Sequence, residues 1–294
     1  MSNAQSLTTK FIEAASRRLS PDTVRTYRYQ LQRLEEWLGQ NNLDFGSLTP
    51  EVFKKYLDEH SWKQNTQHTI SCAARSLVRW AYGSQHPLLQ ERNIKSAVSP
   101  QRTLDQQQIR QILDYLRRQQ KPHSIRNLSM ITLMLDSGAR VSEICRLQIE
   151  HIKPDKRIAY VLGKGGQWGY IAWGKTAAKY LEEWLRVRGE IVANSDDPAT
   201  LYVSLNTSRP APMTPAGVRS IFRRIGKKAG VNFSPHDLRR TFATLSLAMG
   251  ANTRQVQLLG RWKDIRMVER YSQALMIEHL RDTFPFPSGN LDDT

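Results

Sequence analysis

The sequence predicts a mostly α-helical protein with a small β-sheet, an α+β fold class divided between two domains. Apolar residues recur at helical spacing behind clear N-cap signals along most of the chain. A glycine-rich turn at 163–166 separates two short segments of strand-like composition. Between about Gln90 and Arg102 the helical pattern stops, which indicates a linker between the domains.

These boundaries predict an N-terminal helical domain over 1–98, a linker over about 90–102 and a C-terminal domain over 103–294. The segment from about 285 onward contains several prolines and ends on acidic residues, which is typical of a flexible tail. With 294 residues in all, each domain is long enough to bury a core of its own.

Three helices are predicted in the N-terminal domain. Ser20-Pro21 and Thr49-Pro50 each combine an N-cap side chain with proline at the first helical position, where a missing N–H costs nothing. A third helix begins at about Thr66 and ends at Gly83. Basic side chains on these helices suit a DNA-binding domain, although each alone is compatible with a solvated surface. They are Arg25, Arg28, Arg33, Lys54, Lys55, Lys63, Arg75 and Arg79.

In the C-terminal domain, helical spacing resumes at Thr103. Two strands are predicted at 157–162 and 167–173, joined by the glycine-rich turn as a hairpin. A threonine and proline start another helix at Thr214-Pro215, and this helix has a strongly basic face. That face includes Arg219, Arg223, Arg224, Lys227 and Lys228.

The overall charge points to a polyanionic partner. Forty-three Lys and Arg against 27 Asp and Glu give a net charge of +16 and a pI near 10.1, which favours nucleic acid over a merely soluble basic protein. No apolar run is long enough for a membrane span, and no signal-peptide core is present. Cys72 and Cys145 have neither disulfide-framework nor metal-ligand spacing, so a cytoplasmic, nucleoid-associated location is expected.

The residues that carry chemistry suit the cleavage of a phosphodiester without a metal. Such a reaction needs a nucleophile, positive charge on the nonbridging oxygens and a proton for the leaving oxygen. Six side chains in four separate segments can meet these needs: Arg140, Glu143, Lys164, His236, Arg239 and Tyr271. Residues three apart share one helix face, so His236 lies beside Arg239 and Glu143 lies beside Arg140.

Each residue type fits one part of this reaction. Arginine binds two phosphate oxygens through its planar fork and stays protonated, so Arg140 and Arg239 can clamp the phosphate. Glu143 can orient Arg140 from behind. Lys164, at the tip of the hairpin, can protonate the leaving oxygen once nearby positive charge lowers its pKa. His236 can accept the proton of the nucleophile or hydrogen-bond the phosphate.

Each segment alone also has an ordinary structural explanation. A single helical tyrosine such as Tyr271 is usually part of a core, and an Arg–Glu pair is usually a surface ion pair. Gly163–Gly166 is compatible with a simple hairpin turn, and it lacks the Lys-Ser/Thr ending of a nucleotide-binding P-loop. Only the joint occurrence of these segments favours phosphoryl transfer.

In these motifs the chain resembles the tyrosine recombinase (phage integrase-like) family, and it is similar to the simple two-domain, Xer-like members. Ser137–Glu143 resembles the family's Thr-Gly-x-Arg-x-Ser-Glu motif, and Gly163–Gly166 resembles its lysine hairpin. His236–Thr244 is close to the most recognisable block, and Leu258–Trp262 with Arg270-Tyr271-Ser272 resembles the closing motif. The resemblance covers nearly the whole chain.

The resemblance implies a core-binding domain and a catalytic domain that form a C-shaped clamp on DNA. It also implies that Tyr271 forms a 3′-phosphotyrosyl bond and frees a 5′-hydroxyl. Arg140 and Arg239 then bind the phosphate, Lys164 is the general acid and His236 acts as acid or base. No metal, ATP or other cofactor is expected, because the phosphotyrosine bond preserves the energy of the broken phosphodiester.

One position departs from the family pattern. Many members have a histidine after Leu-Gly, whereas Arg261 follows Gly260 here. The residue nine positions before Tyr271 is Trp262, and some members use a tryptophan there to support the phosphate. We expect Trp262 in the active site, with a plain core role as the alternative, and Arg261 on the DNA backbone. The predicted DNA contacts are Arg25, Arg28, Arg75, Arg219, Arg223, Arg224, Arg240 and Arg261.

Three functions are compatible with the sequence, and the residues of the motifs favour the first. The first is a site-specific recombinase for integration, excision or resolution, a dimer on each site and a tetramer in the synapse, with accessory DNA-bending proteins as candidate partners. Leu275, Ile277 and Leu280 are then candidates for docking on a neighbouring protomer or on their own domain. The second is a type IB topoisomerase-like enzyme that relaxes DNA as a monomer. The third is a non-catalytic DNA-binding regulator on the same scaffold.

Overall fold

The computed structural model describes residues 6–97, 102–163, 166–193, 197–205 and 209–271. Its contacts divide the chain into two compact units, Met1–Pro100 and Gln101–Thr294. Helices dominate the described parts of both units, and the strands lie in the second. The predicted fold class, mostly α with a small β-sheet, is confirmed.

The N-terminal unit contains four helices among its described residues. They are α1 (Leu7–Ser16), α2 (Pro21–Gln40), α3 (Pro50–Asp58) and α4 (Gln64–Tyr82). The side chains of Ser20 and Thr49 cap α2 and α3, each accepting the backbone N–H three residues ahead, as the sequence predicts. Helix α1 is not among the predicted helices, and its Phe11 and Ile12 are buried in the same core as α2 and α4.

The segment after α4 is tied to that helix by side-chain hydrogen bonds. The guanidinium of Arg75 donates to the carbonyl oxygens of Leu88 and Glu91, the latter at 3.1 Å. The imidazole of His68 bonds the carbonyl oxygen of Ile94. Arg75, a predicted DNA contact, therefore has a structural role in holding this segment against α4.

The C-terminal unit contains seven helices and two small sheets in its described ranges. The helices are α5 (Gln106–Arg117), α6 (Pro122–Ser137), α7 (Val141–Arg146), α8 (Lys175–Val192), α9 (Pro215–Ala229), α10 (Pro235–Ala248) and α11 (Thr253–Gly260). The strands are β1 (Ile152–Lys153), β2 (Ile158–Leu162), β3 (Trp168–Ala172), β4 (Val203–Ser204) and β5 (Ala211–Pro212). Across the described ranges, no helix has the length and apolarity to span a bilayer.

Helix α6 lies at the centre of this unit, and its C-terminal end leads into the candidate site. It packs against α5, α8 and α10, and its residues 126–134 are buried without interruption. It ends at Ser137 and is followed by the C-cap residue Gly138, whose left-handed backbone (φ 58°) suits glycine. A Cβ at Gly138 would lie 2.4 Å from the Phe242 ring of α10, so this glycine also permits a close helix contact.

The three-stranded sheet is antiparallel in the order β1-β2-β3. Tyr160 lies opposite Tyr170 and Leu162 opposite Trp168, which confirms the predicted hairpin and gives its register. The backbone N–H of Gly163 donates to the carbonyl oxygen of Gln167 at 2.8 Å and closes the hairpin ladder. Strands β4 and β5 form a separate antiparallel pair.

Candidate active site

Arg140 lies between α6 and α7, at the N-cap position of α7. Glu143, in the first turn of α7, accepts hydrogen bonds from Arg140 Nη1 at 2.7 Å and from the Arg140 backbone N–H at 2.8 Å. The Glu143 side chain is only 1% exposed, whereas the Arg140 side chain keeps 38% of its surface open. The carboxylate therefore holds one edge of the guanidinium and leaves the rest accessible.

A second arginine, Arg261, binds the other oxygen of Glu143. Its Nη2 atom lies 2.9 Å from Glu143 Oε2, and its Nη1 atom donates to the carbonyl oxygens of Tyr170 at 3.0 Å and Leu259 at 2.6 Å. Burial alone would raise the pKa of Glu143, but the Arg261 charge and the hydrogen bonds from Arg140 hold that pKa below its ordinary value. The carboxylate is an anion shared by two guanidinium groups.

Arg261 occupies an unusual backbone position to make these contacts. It caps the C-terminus of α11 in a left-handed conformation (φ 57°), where glycine is the favoured residue. Its side chain passes β3 at Gly169, where a Cβ would lie 2.9 Å from Arg261 Cδ. With 14% of its side chain exposed, this predicted DNA contact lies bound to protein groups inside the site.

Arg239, in the first turns of α10, is buried with 4% of its surface exposed. It donates to the carbonyl oxygen of Gly138 and, at 2.7 Å, to that of Gly260. Arg140 Nη2 lies 3.5 Å from the next carbonyl oxygen, that of Arg261. Burial first, and then the charge of Arg140, lower the pKa of Arg239 to about 9. The two arginines thus meet at consecutive carbonyls on the end of α11.

Trp262 covers the buried arginine. The guanidinium carbon of Arg239 lies 4.0 Å from the centroid of the Trp262 ring, and Phe242 stacks on the indole with its ring 6.2 Å away and nearly parallel. Gly260 makes this packing possible, because a Cβ there would lie 1.8 Å from the indole. Trp262 is both buried core and a cation–π partner of Arg239, so the two sequence interpretations are compatible.

His236 precedes Arg239 on the same face of α10. The helix begins with a reciprocal cap in which Ser234 Oγ accepts the Asp237 N–H at 3.3 Å and the Asp237 carboxylate accepts the Ser234 N–H at 2.9 Å. His236 is exposed to solvent, although part of it is covered by the protein. This partial burial first, and then the charges of Arg240 and Arg239, lower the pKa of His236. The neutral imidazole, which can accept a proton, is thereby favoured.

Tyr271 lies against this cluster at the end of the described chain. Its ring is half-buried and packs 6.0 Å from the Trp262 ring, centroid to centroid. The Trp262 ring therefore contacts both the Arg239 guanidinium and the Tyr271 ring.

The remaining predicted residues have other placements. Lys164 lies outside the described residues, as do Leu275, Ile277 and Leu280 and the tail. Arg25 is exposed and pairs with Asp22 at 2.7 Å, while Arg240 lies 3.5 Å from Asp237. Arg28 and the α9 arginines at 219, 223 and 224 are exposed. Throughout the described ranges, no group of three or more His, Cys, Asp or Glu is placed to hold a metal ion.

The phage integrase family profile matches residues 102–277, and the profile of its N-terminal SAM-like domain matches residues 11–85. The chain belongs to the phage integrase family. The resemblance seen in the motifs is thereby confirmed.

Several proteins similar to this chain are named tyrosine recombinases. Tyrosine recombinase XerC of Actinobacillus succinogenes is 31% identical over 280 residues, which is 91% of each chain. Tyrosine recombinase XerD of Vibrio cholerae is 27% identical over 288 residues, 93% of each chain. The predicted enzyme class, a tyrosine recombinase, is confirmed, and the topoisomerase and regulator alternatives are not favoured.

Solved structures show the same fold. A XerH site-specific recombinase bound to palindromic difH substrate, in a post-cleavage complex, has a TM-score of 0.75 at 16% identity and covers 93% of this chain and 84% of its own. A lambda integrase dimer bound to a COC′ core site has a TM-score of 0.67 at 21% identity and covers 90% of this chain and 93% of its own.

Proposed function

We propose that this chain is a site-specific recombinase that cuts and rejoins duplex DNA through a 3′-phosphotyrosyl bond to Tyr271. The observation that carries the proposal is the convergence of Arg140 and Arg239 beside the Trp262–Tyr271 pair. Arg140 has an open edge, and Arg239 has carbonyl and aromatic partners in place of a carboxylate among the described residues. Both cations retain charge for a phosphate.

The proposed cleavage step exchanges one phosphate ester for another. The Tyr271 oxygen attacks phosphorus, the bond from phosphorus to the 5′ oxygen breaks, and the 3′ phosphate remains on the tyrosine. The neutral imidazole of His236 takes the phenolic proton, and Lys164 gives a proton to the departing 5′ oxygen. A 5′-hydroxyl from the other strand end reverses the step, so no metal or nucleotide is required for rejoining.

Arg140 and Arg239 stabilise the charge that accumulates on the nonbridging oxygens during this exchange. Preorganised donors of this kind are worth on the order of 10²–10³ in rate for each one removed. Glu143 and Arg261 act through Arg140, because they fix its position from the protein side.

The partners follow from charge and from the relatives. Duplex DNA is the proposed substrate, since the chain carries a net charge of +16 and related recombinases have been solved on DNA. We place residues 1–98 as the core-binding domain and 103–294 as the catalytic domain. The exposed arginines of α9 are proposed DNA contacts. A dimer on each site, a tetramer in the synapse, accessory DNA-bending proteins and a cytoplasmic, nucleoid-associated location complete the proposal.

Covalent trapping tests the proposal directly. Wild type and Tyr271→Phe are incubated with a library of nicked duplexes, in which a cut near the scissile phosphate lets the freed end diffuse away. Adducts are then resolved on a denaturing gel. We expect a wild-type adduct on a defined subset of sequences and none with Tyr271→Phe, which retains the ring and its packing on Trp262.

Two results would contradict parts of the proposal. Adduct that persists in Tyr271→Phe would show that another residue is the nucleophile, and adduct on every sequence would point to a topoisomerase. Lys164 is tested separately with a substrate whose 5′ leaving oxygen is replaced by sulfur, which needs no proton. Lys164→Ala should cleave this substrate at the wild-type rate, and a persistent defect would remove Lys164 from the acid role.

A further inference from the structure

A second basic pocket lies at the N-terminal end of α6, between α5, α6 and α9. Its cavity has a volume of about 300 Å³, which leaves room for a phosphate group and several waters, since one water takes about 30 Å³. The polar groups of its wall include Ser124, Arg126, Arg224, His123 and Lys228. None of the described residues that line it carries a carboxylate.

Arg126 is the most unusual group in this pocket. It is buried, with 4% of its surface exposed, and donates to Asn127 Oδ1 from Nε at 3.2 Å and from Nη2 at 3.0 Å. Its Nη1 donates to the Val203 carbonyl oxygen at 2.9 Å. Within the described residues, no carboxylate hydrogen-bonds this guanidinium. Because buried charges are normally paired, a cation held only by neutral oxygens is costly without an anion.

Two other arginines in the described part of the chain are as deeply buried, and they show how such a cation is accommodated. Arg188, 2% exposed, pairs with the carboxylate of Asp197. Arg239, 4% exposed, is held by two carbonyl oxygens and belongs to the proposed phosphate site of the enzyme. Arg126 has the same kind of neutral partners as Arg239. The comparison indicates that Arg126 also faces an anion that arrives from outside the protein.

A second, independent observation concerns Ser124. This residue is 1% exposed, it lines the pocket, and its hydroxyl oxygen has no hydrogen-bond partner among the residues that the structure describes. A buried hydroxyl without a partner is destabilising, and an oxyanion in the pocket would accept its hydrogen bond. Ser124 also lies in the first turn of α6, where no side chain caps the helix and the backbone N–H groups carry partial positive charge.

The surrounding charges have the same sign. Arg224 and Lys228 reach the pocket from exposed positions on α9, and His123 is exposed at the start of α6. Burial first, and then the charge of the nearby Arg224, lower the pKa of Arg126 to about 10. Burial also lowers the pKa of His123, followed by the charges of Arg126 and Lys121. Arg126, Arg224 and Lys228 therefore repel one another, and an anion in the pocket would reduce that repulsion.

We propose that this pocket is a second oxyanion site, which binds a phosphate group between Ser124, Arg126 and Arg224. It is separate from the candidate active site, because Ser124 lies in the first turn of α6 and Arg140 follows the other end of that helix, roughly 20 Å away at 1.5 Å per residue. The proposal does not depend on DNA cleavage. The phosphate group is either free inorganic phosphate or a phosphodiester of bound DNA.

Thermal unfolding of the full chain tests the site, with inorganic phosphate as the probe and sodium chloride of matched ionic strength as the control. The active-site arginines would also bind phosphate, so all measurements use the Arg140→Gln background. At a phosphate concentration one hundred times Kd, we expect Tm to rise by roughly 5–10 °C above the chloride control.

Matched variants locate the binding. Arg224→Gln removes a lining cation, whereas Arg223→Gln makes the same charge change on the same helix outside the lining. The phosphate-dependent rise should shrink at least twofold in Arg224→Gln and stay unchanged in Arg223→Gln. Arg126→Gln should abolish it. Should that variant not fold, Ser124→Ala, which removes a hydroxyl and leaves the packing intact, should also shrink the rise.

An equal Tm in phosphate and chloride, or equal responses of Arg224→Gln and Arg223→Gln, would overturn the proposal. A saturating duplex then identifies the source of the phosphate group. If bound DNA leaves the phosphate titration unchanged, the ligand is free phosphate. If bound DNA instead competes with phosphate, and this competition is lost in Arg224→Gln but kept in Arg223→Gln, the ligand is a DNA phosphodiester in the same pocket.

Discussion

The left-handed arginine at the end of α11 allows backbone strain and ion pairing to be measured separately. Arg261 combines φ 57° with a side chain bound to the buried Glu143. Arg261→Ala removes the guanidinium and keeps the strain, whereas Arg261→Gly removes the guanidinium and relieves the strain. The two variants differ only in how easily their backbone adopts this conformation, so each serves as the control for the other.

The expected magnitudes follow from the contacts. Removing one partner of a buried ion pair costs about 3–5 kcal/mol, and the lower end applies because Glu143 keeps its bonds to Arg140. A left-handed backbone costs a non-glycine residue roughly 1–2 kcal/mol. Arg261→Ala should therefore lose about 3 kcal/mol of unfolding free energy. Arg261→Gly should lose about 2 kcal/mol, and urea unfolding at constant m-value measures both.

Cleavage should respond differently from stability. If Arg261 positions Arg140 through Glu143, both variants lose the same contact, and both should form the covalent adduct more slowly by on the order of 10²-fold. Equal stability of the two variants would refute the strain argument. Wild-type cleavage by Arg261→Gly, despite the lost ion pair, would refute the positioning role.

Three further perturbations test the packing and protonation of the site. Gly138→Ala should destabilise the fold by about 2–5 kcal/mol in urea unfolding, because it combines a left-handed backbone with a Cβ 2.4 Å from Phe242. Trp262→Phe keeps an aromatic face over Arg239, so it should form adduct about tenfold faster than Trp262→Leu, and equal rates would exclude a cation–π role. The lowered pKa of His236 means that the unfolded chain binds that proton first, so stability should fall as pH drops below about 6.5. His236→Gln should make this loss smaller, and an unchanged pH profile would show that His236 titrates normally.

Local chemistry explains which parts of the fold could be predicted. The helix starts at Ser20, Thr49 and Thr214 were predictable because the cap and the following proline act within one turn. Helix α1 also has a serine cap, at Ser6, but it lacks the proline that marks the other starts. The hairpin was predictable because the glycine-rich turn lies between two strand-like segments.

Charge alone did not indicate which arginines face solvent. Arg75 and Arg261 belong to the same chemical class as Arg28 and Arg223, and all four were predicted as DNA contacts. The structure gives the first pair internal partners, carbonyl oxygens for Arg75 and Glu143 for Arg261, and leaves the second pair exposed. These partners lie up to 118 residues away in sequence, so no local pattern could identify them.

The hydrogen-bond partners of each active-site arginine determine how much of its positive charge remains unneutralised for the substrate. Arg140 and Arg261 share one carboxylate, that of Glu143, whereas Arg239 is held by carbonyl oxygens at the ends of α6 and α11. Helix C-termini carry only partial negative charge, so they orient Arg239 without neutralising it. Three guanidinium groups and one carboxylate leave a net charge of about +2 beside Tyr271. This excess positive charge suits phosphoryl transfer, in which negative charge builds on the nonbridging oxygens. A carboxylate placed beside Arg239 would reduce the excess, so we expect it to slow cleavage.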